Sequence, residues 1–135
     1  MPRAQRLLCS CVVLVAVACA TACGSSSSPA RPTHAALRVT LEPEGAGGPK
    51  TTWTVSCPDA TRATACTRLL DAPDAFVAPA PHTACSMIYG GPQLLAVTGT
   101  LGNRTIDYST GRTNGCEIAN YARDLALVAP FRPVT

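Results

Sequence analysis

Four cysteines constrain this chain more than any other feature. Cys57, Cys66, Cys85 and Cys116 all follow an N-terminus laid out for export. In an exported domain an even set of cysteines reads as a disulfide framework, and four cysteines allow three pairings. Sequential pairing is the simplest: Cys57 with Cys66, and Cys85 with Cys116. By loop-closure entropy these bridges would contribute roughly 2.7 and roughly 3.7 kcal/mol. A zinc site is the other use of such a set. It would need Cys-x-x-Cys spacing, which is missing, and His34 and His82 are poorly placed to complete it. No metal and no cofactor is expected.

The other cysteines belong to the leader. Residues 1–8 carry Arg3 and Arg6 and no acid, and residues 7–22 are apolar or small, LLCSCVVLVAVACATA. This is the layout of a secretory signal peptide. The apolar stretch is short of the roughly 20 residues that a membrane span requires. Ala20-Thr21-Ala22-Cys23 resembles a bacterial lipobox, in which the cysteine thiol is acylated; Ala16-Val17-Ala18-Cys19 is a second candidate. Cys23 is preferred because the polar tract GSSSSPARPTH begins directly after it. Ordinary cleavage near Ala22 would instead release a free secreted protein. The expected organisation is therefore a lipoprotein-type signal peptide over 1–22, a flexible Ser/Pro linker over 23–34 and one folded domain over 35–135. Its place is extracellular, either secreted or lipid-anchored to the outer face of the cell membrane.

Charge excludes one class of partner. Of 11 basic residues, Arg3 and Arg6 fall in the leader, which leaves nine against eight acidic residues in the remainder. No basic run occurs, so no nucleic-acid partner is expected. Length excludes the large catalytic scaffolds, such as a (β/α)₈ barrel.

Within the domain, Leu37, Val39 and Leu41 alternate with polar neighbours, as do Trp53 and Val55, with the turn GAGGPK (45–50) between them. This is strand periodicity, and the pair reads as a hairpin. Cys66, Leu69 and Leu70 at i, i+3 and i+4 predict a short helix over 61–72. The three prolines between Pro73 and Ala84 predict irregular chain. Residues 93–101 and 104–110 read as strands joined at Gly102-Asn103, a tight-hairpin signal. Residues 116–128 are ambiguous: Ile118, Tyr121 and Leu125 suit a helical face, but the end also suits a last edge strand. Together these elements predict an α+β domain with two short helices on one face of an antiparallel sheet. About 100 residues bury a modest core, which disulfides would reinforce.

Catalytic chemistry is not visible. A Ser-His-Asp arrangement needs a base, and the domain offers only His82, beside Pro81 in the proline-rich stretch. Glu42 and Glu44 flank a turn, Asp71 and Asp74 end a helix, and both pairs read as solvated. Asn103-Arg104-Thr105 fits a glycosylation sequon at a hairpin turn. The chain is not expected to be an enzyme.

One stretch stands out, CSMIYGGPQ from Cys85 to Gln93. A cysteine fixes its start, and Gly90-Gly91-Pro92 break regular structure at its end. Between them lie Met87, Ile88 and Tyr89. They are either a buried connection under the sheet or an exposed loop that offers apolar side chains to a partner.

Here the chain resembles the Streptomyces subtilisin inhibitor family. The matching residues are Ala65-Cys66-Thr67-Arg68-Leu69, Cys85-Ser86-Met87-Ile88-Tyr89, VTGT (97–100) and Asn114-Gly115-Cys116-Glu117-Ile118, in the family's order and spacing. The likeness covers roughly residues 35–131. It departs in the short Cys57–Cys66 interval, which lacks the family's Gly-x-His-Pro stretch, and in Ser86, where Pro or Thr is frequent. The resemblance implies a five-stranded antiparallel sheet with two helices and the bridges Cys57–Cys66 and Cys85–Cys116. It implies a secreted, substrate-like inhibitor of subtilisin-like serine proteases, commonly a homodimer paired through its sheet. By position the reactive bond would be Met87–Ile88, contacted by the protease also at Cys85, Ser86 and Tyr89, with Asn114 bracing the loop from behind. A homodimer is expected on a second ground: two hairpins leave an apolar face or edge that two short helices do not cover. The alternative is a non-inhibitory cell-surface lipoprotein on the same fold that binds another exported partner. An exposed Met87 favours the inhibitor, and a buried one the alternative.

Overall fold

The computed structural model describes residues 30–134. The signal segment 1–22, the acylation candidates Cys23 and Cys19, and the first part of the linker lie outside the described residues.

Strand alternation does what the sequence predicts. In β1 (Ala35–Glu42) the side chains of Ala35, Leu37, Val39 and Leu41 are buried while Ala36 and Arg38 face water. In β2 (Thr51–Cys57) Trp53, Val55 and Cys57 are buried, and β1 and β2 pair antiparallel with Val39 opposite Trp53. The second hairpin joins β3 (Gly91–Leu101) to β4 (Arg104–Arg112), and β3 also pairs antiparallel with β1, Val39 opposite Val97. The sheet order is β2-β1-β3-β4.

Two helices cover one face of this sheet. The first, α1 (Ala63–Leu70), buries Cys66 and Leu69. A single turn of 3₁₀ helix, Ala60–Arg62, leads into it, capped by Asp59, whose carboxylate accepts from the Thr61 N–H at 2.8 Å. These hydrogen bonds, the Thr61 hydroxyl first, hold the Asp59 carboxyl below the usual carboxylate range. The second helix, α2 (Gly115–Val128), settles the ambiguity of residues 116–128 in favour of helix. Val128 is fully buried, and its carbonyl accepts the Trp53 indole N–H at 3.0 Å.

The expected fifth strand does not form among the described residues: the sheet has four strands. The chain continues from α2 into a 3₁₀ turn, Ala129–Phe131, and buries Phe131 in the core. Pro130 and Pro133 lack the N–H groups that a ladder needs. The proline-rich residues 73–84, as predicted, form no strand of the sheet.

The uncovered face is also not the apolar surface expected. Its rows read Ser56, Ala36, Thr100, Thr105; then Thr54, Arg38, Thr98, Asp107; then Thr52, Thr40, Ala96, Ser109. Short hydroxyl side chains suit a β-sheet that meets water on one side.

Candidate functional site

Both bridges are formed, Cys57–Cys66 with Cα atoms 5.6 Å apart and Cys85–Cys116 at 5.4 Å. The first is buried between the end of β2 and α1. The second lies at the surface and defines the site.

The chain between Thr83 and Gly90 has no regular structure. Met87 is 92% exposed, Ile88 60% and Tyr89 67%, so three large apolar side chains point into solvent side by side. Folded chains bury such residues when they can, and adjacent exposed apolar side chains mark contact surfaces. Both ends of the stretch are restrained. On the amino-terminal side Cys85 is tied to Cys116, and the Gly115 N–H donates to the Ser86 carbonyl at 2.9 Å. On the carboxy-terminal side the Gly90 N–H donates to the Arg112 carbonyl at 2.7 Å, and Gly91 enters β3 opposite Arg112.

The start of α2 supplies the amino-terminal restraint. Asn114 is its N-cap, and the carboxamide oxygen accepts the Glu117 N–H at 3.0 Å. The Glu117 carboxylate in turn accepts from the Thr113 N–H and hydroxyl at 3.2 and 2.6 Å. Such reciprocal capping fixes where a helix begins. It fixes Gly115 and Cys116, the two residues that hold the loop. The hydrogen bond of the Asn114 side chain thus goes to the helix end, and the restraint on the loop comes from the next two residues. Gly115 is closely fitted: a Cβ there would meet the Ser86 hydroxyl.

Behind the carboxy-terminal half lie Arg112, Gln93, Ile118 and Tyr121. Arg112 donates to the Gln93 side-chain oxygen at 3.1 Å, and its guanidinium lies 5.7 Å from the centre of the Tyr121 ring. Burial pushes the Tyr121 phenol up, and the guanidinium draws it partly back.

The carboxylates singled out in sequence do not gather at the loop. Glu42 pairs with Lys50 at 3.0 Å and Asp71 with Arg31 at 2.7 Å. The acid that sequence reasoning passed over is Asp124, fully buried on α2, where it accepts from Arg123 at 2.7 and 3.0 Å and from the Phe76 N–H at 3.5 Å. The signal was present, since Asp124 stands in the apolar stripe between Tyr121 and Val128. It serves the fold: Phe76 has φ 58, a left-handed conformation costly for a side chain of that size, and the Asp124 carboxylate holds its N–H. Among the described residues no three His, Cys, Asp or Glu side chains gather as a metal site. No helix among the described residues is long and apolar enough to cross a membrane.

The site is therefore a short, doubly restrained, irregular stretch that presents Ser86, Met87, Ile88 and Tyr89 to solvent. No family model, curated protein or solved structure matches the chain.

Proposed function

We propose that the chain is an exported, substrate-like inhibitor of subtilisin-type serine proteases, not an enzyme, with Met87–Ile88 as its reactive bond. One observation carries the proposal: Met87 is 92% exposed on a loop tied down at both ends. The resemblance of the loop and helix motifs to the Streptomyces subtilisin inhibitor family supports the same reading.

A protease takes substrate as an extended strand in its cleft. A loop already held in an accessible shape loses little conformational entropy on binding. The Met87 side chain enters the S1 pocket; it is flexible and polarizable and has no charge, which suits a broad apolar pocket. Ser86 and Cys85 lie on the acyl side of the bond, and Ile88 and Tyr89 on the leaving side. The protease serine oxygen attacks the Met87 carbonyl carbon, the bond to the Ile88 nitrogen breaks, and Ile88 leaves as an amine. Here that amine cannot diffuse away. Cys85 is held by Cys116, Ser86 by Gly115 and residues 90–91 by β4, so the amine attacks the acyl carbon again and restores the peptide. Reclosure competes with water, and the enzyme stays occupied.

Export places the domain where such proteases act. The leader and Cys23 give a lipid anchor on the outer face of the cell membrane, which mass spectrometry of the mature terminus tests. A homodimer would use the open sheet face. There Arg38 and Asp107 flank Thr98 in one row, so a copy related by a two-fold axis along β3 sets each charge against its opposite. Light scattering at micromolar concentration tests it.

The deciding experiment is titration of subtilisin and of chymotrypsin with the purified protein. Stoichiometric loss of subtilisin activity is expected. Full activity at excess inhibitor would leave the loop as a docking site for another exported partner.

A further inference from the structure

The geometry points to Arg112 as the positioning residue that holds the carboxy-terminal half of the reactive loop, and so decides whether a cut loop recloses. The assignment rests on the inhibitor reading above.

The two halves of the loop are held by different means. The amino-terminal half has a covalent tie and one backbone hydrogen bond to α2. The carboxy-terminal half has no covalent tie. Beyond Tyr89 come two glycines, the residues with most freedom to lose, and Gly91 has φ 125, open to few residues but glycine. The register of β3 against β4 also slips between Gly91 and Leu95. On backbone pairing alone this would be the looser side.

Arg112 compensates for that. Its carbonyl takes the Gly90 N–H at 2.7 Å, and its Cβ lies 3.3 Å from where a Gly90 side chain would begin. Its guanidinium donates to Gln93 at 3.1 Å, and the Gln93 carboxamide folds back against the Gly91 Cα, in the space where a Cβ would stand. The same guanidinium lies over Tyr121 of α2. Ile118 of α2 closes on the same position as the Arg112 Cβ, so Gly90 is packed between the chain and these two side chains with no room for a Cβ. One side chain thus links α2, the irregular start of β3 and the end of β4 at the point where the loop re-enters the sheet. This point is three residues beyond the scissile peptide.

The consequence concerns the cut state. Hydrolysis of Met87–Ile88 adds water and leaves a carboxylate on Met87 and an amine on Ile88. If residues 88–91 can then move freely, the new end gains conformational entropy and the cut form is favoured. If they stay fixed, the amine remains near the acyl carbon and the peptide re-forms. Arg112 keeps them fixed.

The test compares the full mature protein with Arg112→Met, which keeps the aliphatic stem, with Gln93→Leu, which removes the acceptor, and with Arg112→Lys. Each is incubated with a catalytic amount of subtilisin until the ratio of cut to intact chain is constant. Amide hydrogen exchange is followed in the free proteins. Arg112→Met should raise the equilibrium share of cut chain roughly tenfold, the factor that one hydrogen bond to a charged group is worth. Gln93→Leu should match it. Arg112→Lys, which keeps a cationic donor but not the planar contact with Tyr121, should fall between. Exchange at the Gly90 amide should quicken in Arg112→Met while Val39 and Val97 keep their wild-type rates. An unchanged cut-to-intact ratio, or loosening of all amides together, overturns the assignment. If wild type is neither an inhibitor nor cut at this bond, the inhibitor reading fails. The Gly90 exchange rate then still decides whether Arg112 fixes the loop.

Discussion

The two disulfides make an instructive pair. Cys57–Cys66 is buried, joins the end of β2 to α1 and adds to a core that already packs around Trp53 and Leu69. Cys85–Cys116 lies at the surface, with no apolar core on its outer side, and holds a stretch whose side chains face water. A buried bridge shares its task with the packing around it. A surface bridge replaces packing, and lets apolar residues remain exposed and still be ordered. The first serves stability and the second serves the loop.

The comparison is sharpest when each bridge is removed. Replacing Cys85 and Cys116 by alanine should cost about 3–4 kcal/mol of stability. It should also turn an inhibitor into a substrate that is cut and released. Denaturant unfolding and a time course of subtilisin activity check both effects. Replacing Cys57 and Cys66 should cost about 2–3 kcal/mol. Below the melting transition that variant should inhibit as wild type does. Equal loss of inhibition in both variants would erase the distinction.

A smaller effect is expected at the helix that carries Cys116. Asn114→Ala removes the cap and should cost about 1 kcal/mol, with inhibition weakened several-fold because Gly115 and Cys116 lose their fixed start. Asn114→Asp keeps the cap acceptor and should restore both. Rescue of stability without rescue of inhibition would mean that the carboxamide acts on the loop or the protease directly.

The smallest effect lies in the interior. The hydroxyls of Tyr108 and Thr110 are buried without a hydrogen bond among the described residues. Burial pushes the Tyr108 phenol above the usual tyrosine range. The folded chain therefore holds this proton where the unfolded chain has released it. Stability is full below the ordinary tyrosine value and is lost as pH rises through the raised one. Tyr108→Phe should flatten that alkaline limb and raise stability at neutral pH by about 1 kcal/mol, since an unpaired buried hydroxyl is removed. Inhibition should not change. Thermal unfolding across alkaline pH checks this.

Much of the fold was legible in sequence because it is written in period-two patterns. Leu37, Val39 and Leu41, then Trp53 and Val55, alternate without a break, and Gly102-Asn103 marks the second hairpin turn. What was not legible depends on distant contacts. The end of residues 116–128 reads equally as helix or strand until the Val128 carbonyl meets the Trp53 indole and Phe131 finds the core. The expected apolar face or edge is not the open face, whose Thr and Ser residues are in view in every strand; alternation gives two faces, and only the helices' position says which is covered. Within the site, the exposure of Met87 was one of two open readings, and only the structure separates them. Arg112 carried no sequence signal at all, being one more arginine at a strand end. Its contacts run to Gln93, Gly90 and Tyr121 on three elements.

The most direct measurement is inhibition by Met87→Lys against subtilisin and trypsin, with wild type alongside. A side chain that fills the S1 pocket carries a few kcal/mol of binding, so the substitution should weaken subtilisin inhibition by roughly a hundredfold or more. It should create trypsin inhibition, because a cation suits an acidic pocket floor. Prolonged incubation of wild type with subtilisin at low pH should leave one cut, between Met87 and Ile88, with the halves still joined through Cys85–Cys116. Unchanged subtilisin inhibition and no trypsin inhibition in the variant would contradict the assignment of Met87 to the reactive bond.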